Sequence, residues 1–327
     1  MNFEKLLEFA PNQETQTIFA KGAMHLGRCF GNIACAISGG SDSDIMLDIL
    51  TKLDDEKKIQ YVFFDTGIEY QATKKHLDDL EGKYQIKIER VNAIKPVPLA
   101  CKQYGVPFMS KYISDMMSRL QKHGFKWEDE PFEVLLKKYP KCRGALRWWC
   151  NDNGENSSFS ISRNKLLKEF IIENPPDFAI SSKCCYYAKK MPSAIWCEEH
   201  NISLLCLGVR KSEGGIRSTS YKSCFSNSWE TNKSHDEWRP LFWLKNADKQ
   251  QYKEFNGIQY SDCYEVYGLK RTGCFGCPFG SAFEEELKII EQYEPNLFLA
   301  ANNIFGKSYE YMRKYREYKE ERLHEFV

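Results

Sequence analysis

The sequence predicts an α/β protein: a parallel sheet with helices on both faces, a helical insertion and a cysteine-bearing C-terminal part. Two short apolar runs, Ile33-Ala-Cys-Ala-Ile37 and Ile59 to Phe64, are closed by turn residues, as buried parallel strands are. Between them Ile45, Met46, Ile49 and Leu50 recur at helical spacing. Strand, helix and strand in this order need a right-handed crossover, which places helices on the faces of a parallel sheet.

Taken in order, a helix is expected from about Gln13 to Leu26, and the first strand closes on Ser38-Gly39-Gly40. The next helix opens just past the glycines and ends at the polar turn Asp54 to Lys58. Strand Ile59 to Phe64, helix Glu69 to Glu81 and strand Ile86 to Val91 complete a βαβαβ unit, so residues 1–95 are expected to form the first half of a nucleotide-binding core. Residues 96–160 are helical, rich in Lys, Arg and aromatics, and interrupted by Pro107, Pro131 and Pro140; they read as an insertion. The second half of the core is expected over 161–280, with helices Ser162 to Glu173 and Ser181 to His200, strand Ile202 to Leu207, a Gly/Ser/Arg loop from Val209 to Ser220 and a helix near Asp248 to Phe255. A helical tail of alternating charge is expected over 281–327.

Lys plus Arg number 46 against 45 Asp plus Glu, a net charge of +1 that gives no bulk attraction to nucleic acid or membrane. No basic segment with an apolar core opens the chain, and no apolar run approaches the roughly 18 residues of a membrane span. A cytoplasmic protein with no membrane association is expected. Its 13 cysteines then point to reduced thiols, metal ligation or redox chemistry.

Ser38-Gly39-Gly40-Ser41-Asp42-Ser43 lies between a buried strand and a helix, where uncapped N–H groups and the positive helix end attract phosphate. The glycines admit close approach, the hydroxyls of Ser38, Ser41 and Ser43 add donors, and Asp42 is suited to cap the helix or to help bind Mg²⁺ beside a polyphosphate. The loop is neither a Walker A sequence nor a dinucleotide GxGxxG. It resembles the SGGxDS signature of the PP-loop ATP pyrophosphatases, which implies an adenine nucleotide alpha hydrolase-like fold and ATP with Mg²⁺. The second strand runs into Asp65-Thr66-Gly67 at the carboxyl edge of the sheet, where open α/β folds bind ligands. The stretch YVFFDTGIEYQAT resembles the "VDTG..FPET" segment of the phosphoadenylyl-sulfate (PAPS) reductase branch of that superfamily, which implies that Asp65, Thr66 and Gly67 belong to the nucleotide site.

Cys184 and Cys185 are adjacent, and Cys274-Phe-Gly-Cys277 is a CxxC closed by Pro278. Four thiolates suit a [4Fe–4S] cluster or a zinc site. The pattern resembles the CC…CxxC arrangement of assimilatory adenylyl-sulfate (APS) reductases, which implies a [4Fe–4S] cluster on Cys184, Cys185, Cys274 and Cys277, with Cys224 an alternative to Cys184. Ser182-Lys183-Cys184-Cys185 through Lys189, Lys190 and Pro192 resembles the helix of that family. Gly208-Val-Arg210-Lys211-Ser212-Glu213 followed by Arg217 resembles its nucleotide loop, which implies that Arg210, Lys211, Glu213 and Arg217 contact nucleotide. Trp238-Arg-Pro240, Trp243, Tyr252 and Ile258-Gln-Tyr260 resemble its approach to the cluster cysteines. Cys142 and Cys150 are read as core or surface thiols, a redox pair or extra ligands, and Cys101 as a packing thiol.

Two departures shape the expected activity. The sulfonucleotide reductases use a cysteine in an ECGLH-like tail, whereas no cysteine follows Cys277 here; and the loop keeps the full form associated with splitting ATP. The expected activity is an ATP-dependent transferase that adenylylates an acceptor and supports sulfur transfer. Ser38, Asp42, Arg210 and Arg217 are the expected catalytic residues, the loop's N–H groups and the arginines meeting charge on the leaving pyrophosphate, with a cysteine desulfurase or a reductant system as the sulfur source. The alternatives are an APS or PAPS reductase, a non-catalytic nucleotide- and cluster-binding subunit, and structural zinc in place of the cluster. Lys111, Arg119, Lys122, Lys126, Lys137, Lys138, Lys141, Arg143 and Arg147 accompany Trp127, Tyr139, Trp148 and Trp149 in the insertion. That mixture suits a nucleic-acid acceptor as well as it suits amphipathic packing.

Overall fold

The computed structural model describes residues 3–214, 221–280 and 282–324. The chain forms two compact units, one of residues 1–94 and 188–275, the other of residues 95–187 and 276–327. The expected segments 96–160 and 281–327 both fall in the second unit, while 161–280 is shared between the two.

The first unit is built on six strands: β1 (Asn32–Ile37), β2 (Ile59–Asp65), β3 (Ile88–Asn92), β4 (Ile202–Leu207), β5 (Phe225–Ser226) and β6 (Asp236–Trp238). Their order is β3-β2-β1-β4-β6-β5. All neighbours pair in parallel except β5 with β6. The expected parallel sheet is therefore present, and its central strands β1, β2 and β4 are mostly apolar because both faces are covered. Ile33, Cys35 and Ile37 enter a core with Ile45, Ile49 and Leu50 of helix Ser41–Leu53 and Ile18 and Phe19 of helix Gln13–Arg28. Ala34, Val62 and Leu205 face Trp196 and Cys197 of helix Met191–Glu199. Each buried Ile, Leu or Phe contributes about 1.5–3 kcal/mol. Cys35 and Cys206 are register partners on β1 and β4, both fully buried, and burial pushes both thiols upward.

Three expected helices are broken, each for a local reason. Helix Ser181 to His200 becomes Lys183–Cys185, a π-helical turn Tyr186–Lys190 and Met191–Glu199. Pro192 has no N–H to offer the carbonyl of Ala188, and the α-ladder gives way there. Helix Ser162 to Glu173 splits into a 3-10 turn Ile161–Arg163 and helix Leu167–Glu173 at Leu166, which has φ +60°. The tail is two helices, Phe283–Tyr293 and Pro295–His324, because Glu294 precedes a proline and leaves the α region. The helix after β2 runs Gln71–Tyr84, two residues later than expected. Glu69 stays in the preceding turn, buried, accepting a hydrogen bond from Thr66 Oγ1 at 2.6 Å.

The second unit is helical, with one parallel bridge between Val106 and Ile180. Its interior is aromatic: Trp148 and Trp149 are buried, and Phe125 meets Trp127, Tyr139 and Trp149 edge to face. Trp149 Nε1 donates to the Glu128 carbonyl at 2.8 Å. Tyr311 and Tyr315 of helix Pro295–His324 donate to the carbonyls of Asn174 and Lys165. Among the described residues no helix is long and apolar enough to cross a membrane.

Candidate functional site

β1 lies between β2 and β4, so the chain leaves its carboxyl end in one direction and that of β4 in the other. Such a switch point opens a crevice, and Ser38-Gly39-Gly40 sits in it. Gly39 has φ +63°, and a Cβ there would lie 2.7 Å from Thr73 Cγ2. Gly40 is the N-cap of helix Ser41–Leu53 and supplies no side-chain cap, which leaves first-turn amides for another acceptor. Gly208, just past β4, brings its own loop against this turn: a Cβ at 208 would lie 3.3 Å from the Ser43 amide nitrogen.

A cleft of about 250 Å³ opens here, lined by Ser38, Gly40, Ser41, Asp42, Ser43, Gly208, Arg210, Glu213, Lys249, Tyr264, Lys270, Arg271 and Thr272. Asp42 Oδ1 accepts from Arg210 Nε at 2.8 Å and pairs with Lys249 Nζ at 2.6 Å. Lys249 also donates to Ser41 Oγ at 2.6 Å. Arg210 is only 6% exposed, and its Nη1 donates to Ser212 Oγ and Asn246 Oδ1, each at 2.8 Å. The loop folds on itself as well: Ser43 Oγ donates to the Gly40 carbonyl at 2.8 Å, and the amide of Gly40 donates to Ser38 Oγ at 3.4 Å. Sequence reasoning brought Ser38 to Ser43, Arg210 and Glu213 to this place. It missed Lys249, Tyr264, Lys270, Arg271 and Thr272, although Lys270-Arg-Thr272 directly before Gly273-Cys274 was a visible cationic signal.

Other expected residues stand elsewhere or act differently. Glu213 accepts from the Arg210 amide at 3.2 Å and shapes the turn. Lys211 lies over the Trp243 ring, 4.8 Å from its centre, and does not line the cleft. Asp65, Thr66 and Gly67 also lie off its lining. Gly67 N donates to Asp65 Oδ1 at 2.8 Å, and Thr66 Oγ1 receives a hydrogen bond from Cys274 Sγ at 3.5 Å. Arg217 lies outside the described residues.

No disulfide is present among the described cysteines. Cys274 belongs to the sheet unit, and Cys184, Cys185 and Cys277 to the helical one. Cys184 is buried, and its thiol is held well above the ordinary range by a hydrogen bond with Cys101 and by burial, with Cys277 adding to the effect and Cys185 opposing it. Cys101, read as a packing thiol, is thus a neighbour of Cys184. The donors suit a thiophilic metal, but among the described residues no three His, Cys, Asp or Glu side chains converge as a metal site. Cys142 and Cys150 bond separate carbonyls, of Arg119 and Glu130, and burial raises both thiols. Cys224 lines a different cleft with Trp238 and Trp243. In the insertion, the nine cations named above are exposed, whereas Trp127, Trp148 and Trp149 are buried and offer no stacking face.

A switch-point crevice that holds a glycine loop and a buried arginine is the place where open α/β folds take anionic ligands. Residues 32–134 match the phosphoadenosine phosphosulfate reductase domain, the family the motifs resemble. An uncharacterized protein of Methanocaldococcus jannaschii is 26% identical over 273 residues, 83% of this chain; the chain spans 41% of that protein's length. A PAPS reductase from Candida auris is 15% identical, with TM-score 0.41, covering 81% of this chain and 96% of its own. The U34-tRNA thiolase NcsA from Methanococcus maripaludis, with its [4Fe-4S] cluster, is 15% identical with TM-score 0.37, covering 92% of this chain and 79% of its own. An NH3-dependent NAD synthetase from Campylobacter jejuni is 10% identical with TM-score 0.38, covering 95% and 96%.

Proposed function

We propose that the protein binds ATP with Mg²⁺ at the Ser38–Ser43 loop and adenylylates an oxygen of an acceptor as the activating step of sulfur transfer. The observation that carries this reading is the convergence of Arg210 and Lys249 on Asp42 beside the uncapped first turn of helix Ser41–Leu53. Cations turned inward around a glycine loop are placed for a polyphosphate, and Asp42 is freed for Mg²⁺ when phosphates take its partners. The acceptor oxygen forms a bond to the α-phosphorus, the bond to the bridging oxygen breaks, and pyrophosphate leaves with the charge met by Arg210, Lys249 and the loop amides. Sulfide-level sulfur then displaces AMP; where a cysteine desulfurase delivers it as a persulfide, a reductant system supplies the two electrons that release it at that level.

The cysteine pattern proposes Cys184, Cys185, Cys274 and Cys277 as ligands of a [4Fe–4S] cluster, which would supply iron to hold the sulfur; zinc on the same thiolates is the alternative. No step above is routed through the metal. For a nucleic-acid acceptor, the exposed cations of the insertion support phosphate contact, while its buried tryptophans do not support base stacking. The family match favours one second reading, reductive release of sulfite from APS or PAPS.

Anaerobic purification with iron, sulfide and zinc analysis, followed by binding of ATP, APS and PAPS, tests these readings together. ATP preference with pyrophosphate release lost in Asp42→Ala and Ser38→Ala, at unchanged metal content, is expected. Preference for APS or PAPS selects the reductase. Cys274→Ala and Cys277→Ala are expected to lose metal; full retention in both overturns the ligand assignment.

A further inference from the structure

We propose that the Tyr264 hydroxyl competes with a phosphate oxygen for the backbone amides of the cleft and is displaced when polyphosphate binds. The inference rests on the nucleotide reading above. Tyr264 Oη accepts hydrogen bonds from the amides of Ser41 and Thr272, each at 3.2 Å, and shares a third bond with Thr272 Oγ1 at 3.0 Å. Two amides from distant parts of the chain thus aim at one oxygen, the arrangement by which backbone donors bind an anion.

The same oxygen sits over bare peptide. A Cβ on Gly40 would lie 3.4 Å from Tyr264 Oη and 3.2 Å from Thr272 Oγ1, so Gly40 leaves this point open to whatever occupies it. Arg210, Lys249, Lys270 and Arg271 line the cleft around it, and a neutral phenol brings no charge to meet them. The first two are satisfied by Asp42. Asp42 and Tyr264 together therefore hold the donors that a phosphate would engage: the carboxylate pairs the cations, and the hydroxyl occupies the amides. A phosphate oxygen carries negative charge and makes shorter, stronger bonds to the same donors, so it takes the amides from the phenol. Tyr264 is a positioning residue on this account, since it holds the amides and yields them as the ligand takes them.

The test uses the full chain, inorganic pyrophosphate and calorimetry. Tyr264→Phe keeps the ring and removes the competing oxygen, so pyrophosphate is expected to bind roughly three- to tenfold tighter, the worth of one hydrogen bond no longer exchanged. Equal or weaker binding overturns the inference, weaker binding by making the hydroxyl a direct ligand contact. Amide hydrogen exchange gives a second readout that a merely structural tyrosine would not move. Exchange at Ser41 and Thr272 is expected to be faster in the free variant than in the free wild type and equal in the two when saturated with pyrophosphate; unchanged exchange in the free variant overturns the inference. A wild-type chain that does not bind pyrophosphate overturns the nucleotide reading and this inference together, whereas wild-type binding with an unimproved variant overturns this inference alone.

Discussion

The two units treat the same residue types in opposite ways. In the sheet unit, Arg210 and Lys249 turn inward, at 6% and 13% exposure, around the single carboxylate of Asp42. In the helical unit, Lys111, Lys126, Lys141, Arg143 and Arg147 all point to solvent while the tryptophans between them go inside. Taking a cation out of water costs several kcal/mol unless a partner compensates, so a buried, partnered arginine marks a site in a way that many exposed lysines do not. In sequence the lysine- and tryptophan-rich insertion suits a nucleic-acid surface and amphipathic packing equally. Helical packing resolves it into a solvated face and an aromatic core.

Four substitutions test that contrast, in descending order of effect. Trp149→Ala is expected to cost about 3–5 kcal/mol in urea denaturation, because it empties a core site and orphans the Glu128 carbonyl; a loss below about 1 kcal/mol would mean the aromatics are not the core of that unit. Arg210→Ala is expected to cost about 2–4 kcal/mol, less than a lone buried pair because Lys249 still meets Asp42, and to weaken ATP binding at least about tenfold. Gly39→Ala forces a side chain into the left-handed region against Thr73, costing about 1–3 kcal/mol and lowering pyrophosphate affinity; an Ala variant with wild-type stability and binding would break the case for this turn.

The smallest effect concerns pH. His25 stacks on Phe225, and burial, with Lys21 and Arg28 nearby, lowers its pKa from the ordinary 6.5. The folded state disfavours the proton, so the stability this site permits is full above the unfolded value of about 6.5 and falls as acidification protonates the unfolded chain first. Melting temperature is expected to drop between about pH 7.5 and about 5.5, and His25→Phe, which keeps the stack, to flatten the profile. Parallel profiles for variant and wild type would exclude His25 as the cause.

Legibility in the sequence followed the range of the interaction. Ser38 to Ser43 could be placed because a strand, two glycines and a helix start are contiguous, and their function lies in the backbone. Arg210 and Glu213 were reached by motif resemblance. Lys249 and Tyr264 come from helices Asn246–Phe255 and Asp262–Glu265, more than 200 residues beyond the glycines, and nothing in their local sequence announces a partner so remote. Cys101 was hidden for the same reason: beside Cys184 it is a neighbour in space, while in sequence it is one more apolar position of helix Val97–Tyr104. The helix breaks at Pro192 and Pro295 were written in the chain as prolines, whereas the left-handed turn at Leu166 was not.

Cys35 and Cys206, side by side on the two central strands, give the molecule an internal clock for global opening. A thiol must be ionised and reachable to react, and these are neither until the sheet comes apart. In a time course with a thiol-specific reagent, the partly exposed cysteines such as Cys29 and Cys224 would be modified first. The slowest equivalents, those of Cys35 and Cys206 with the equally buried Cys197 and Cys263, would then report how often the sheet unit visits its unfolded state, without any added label.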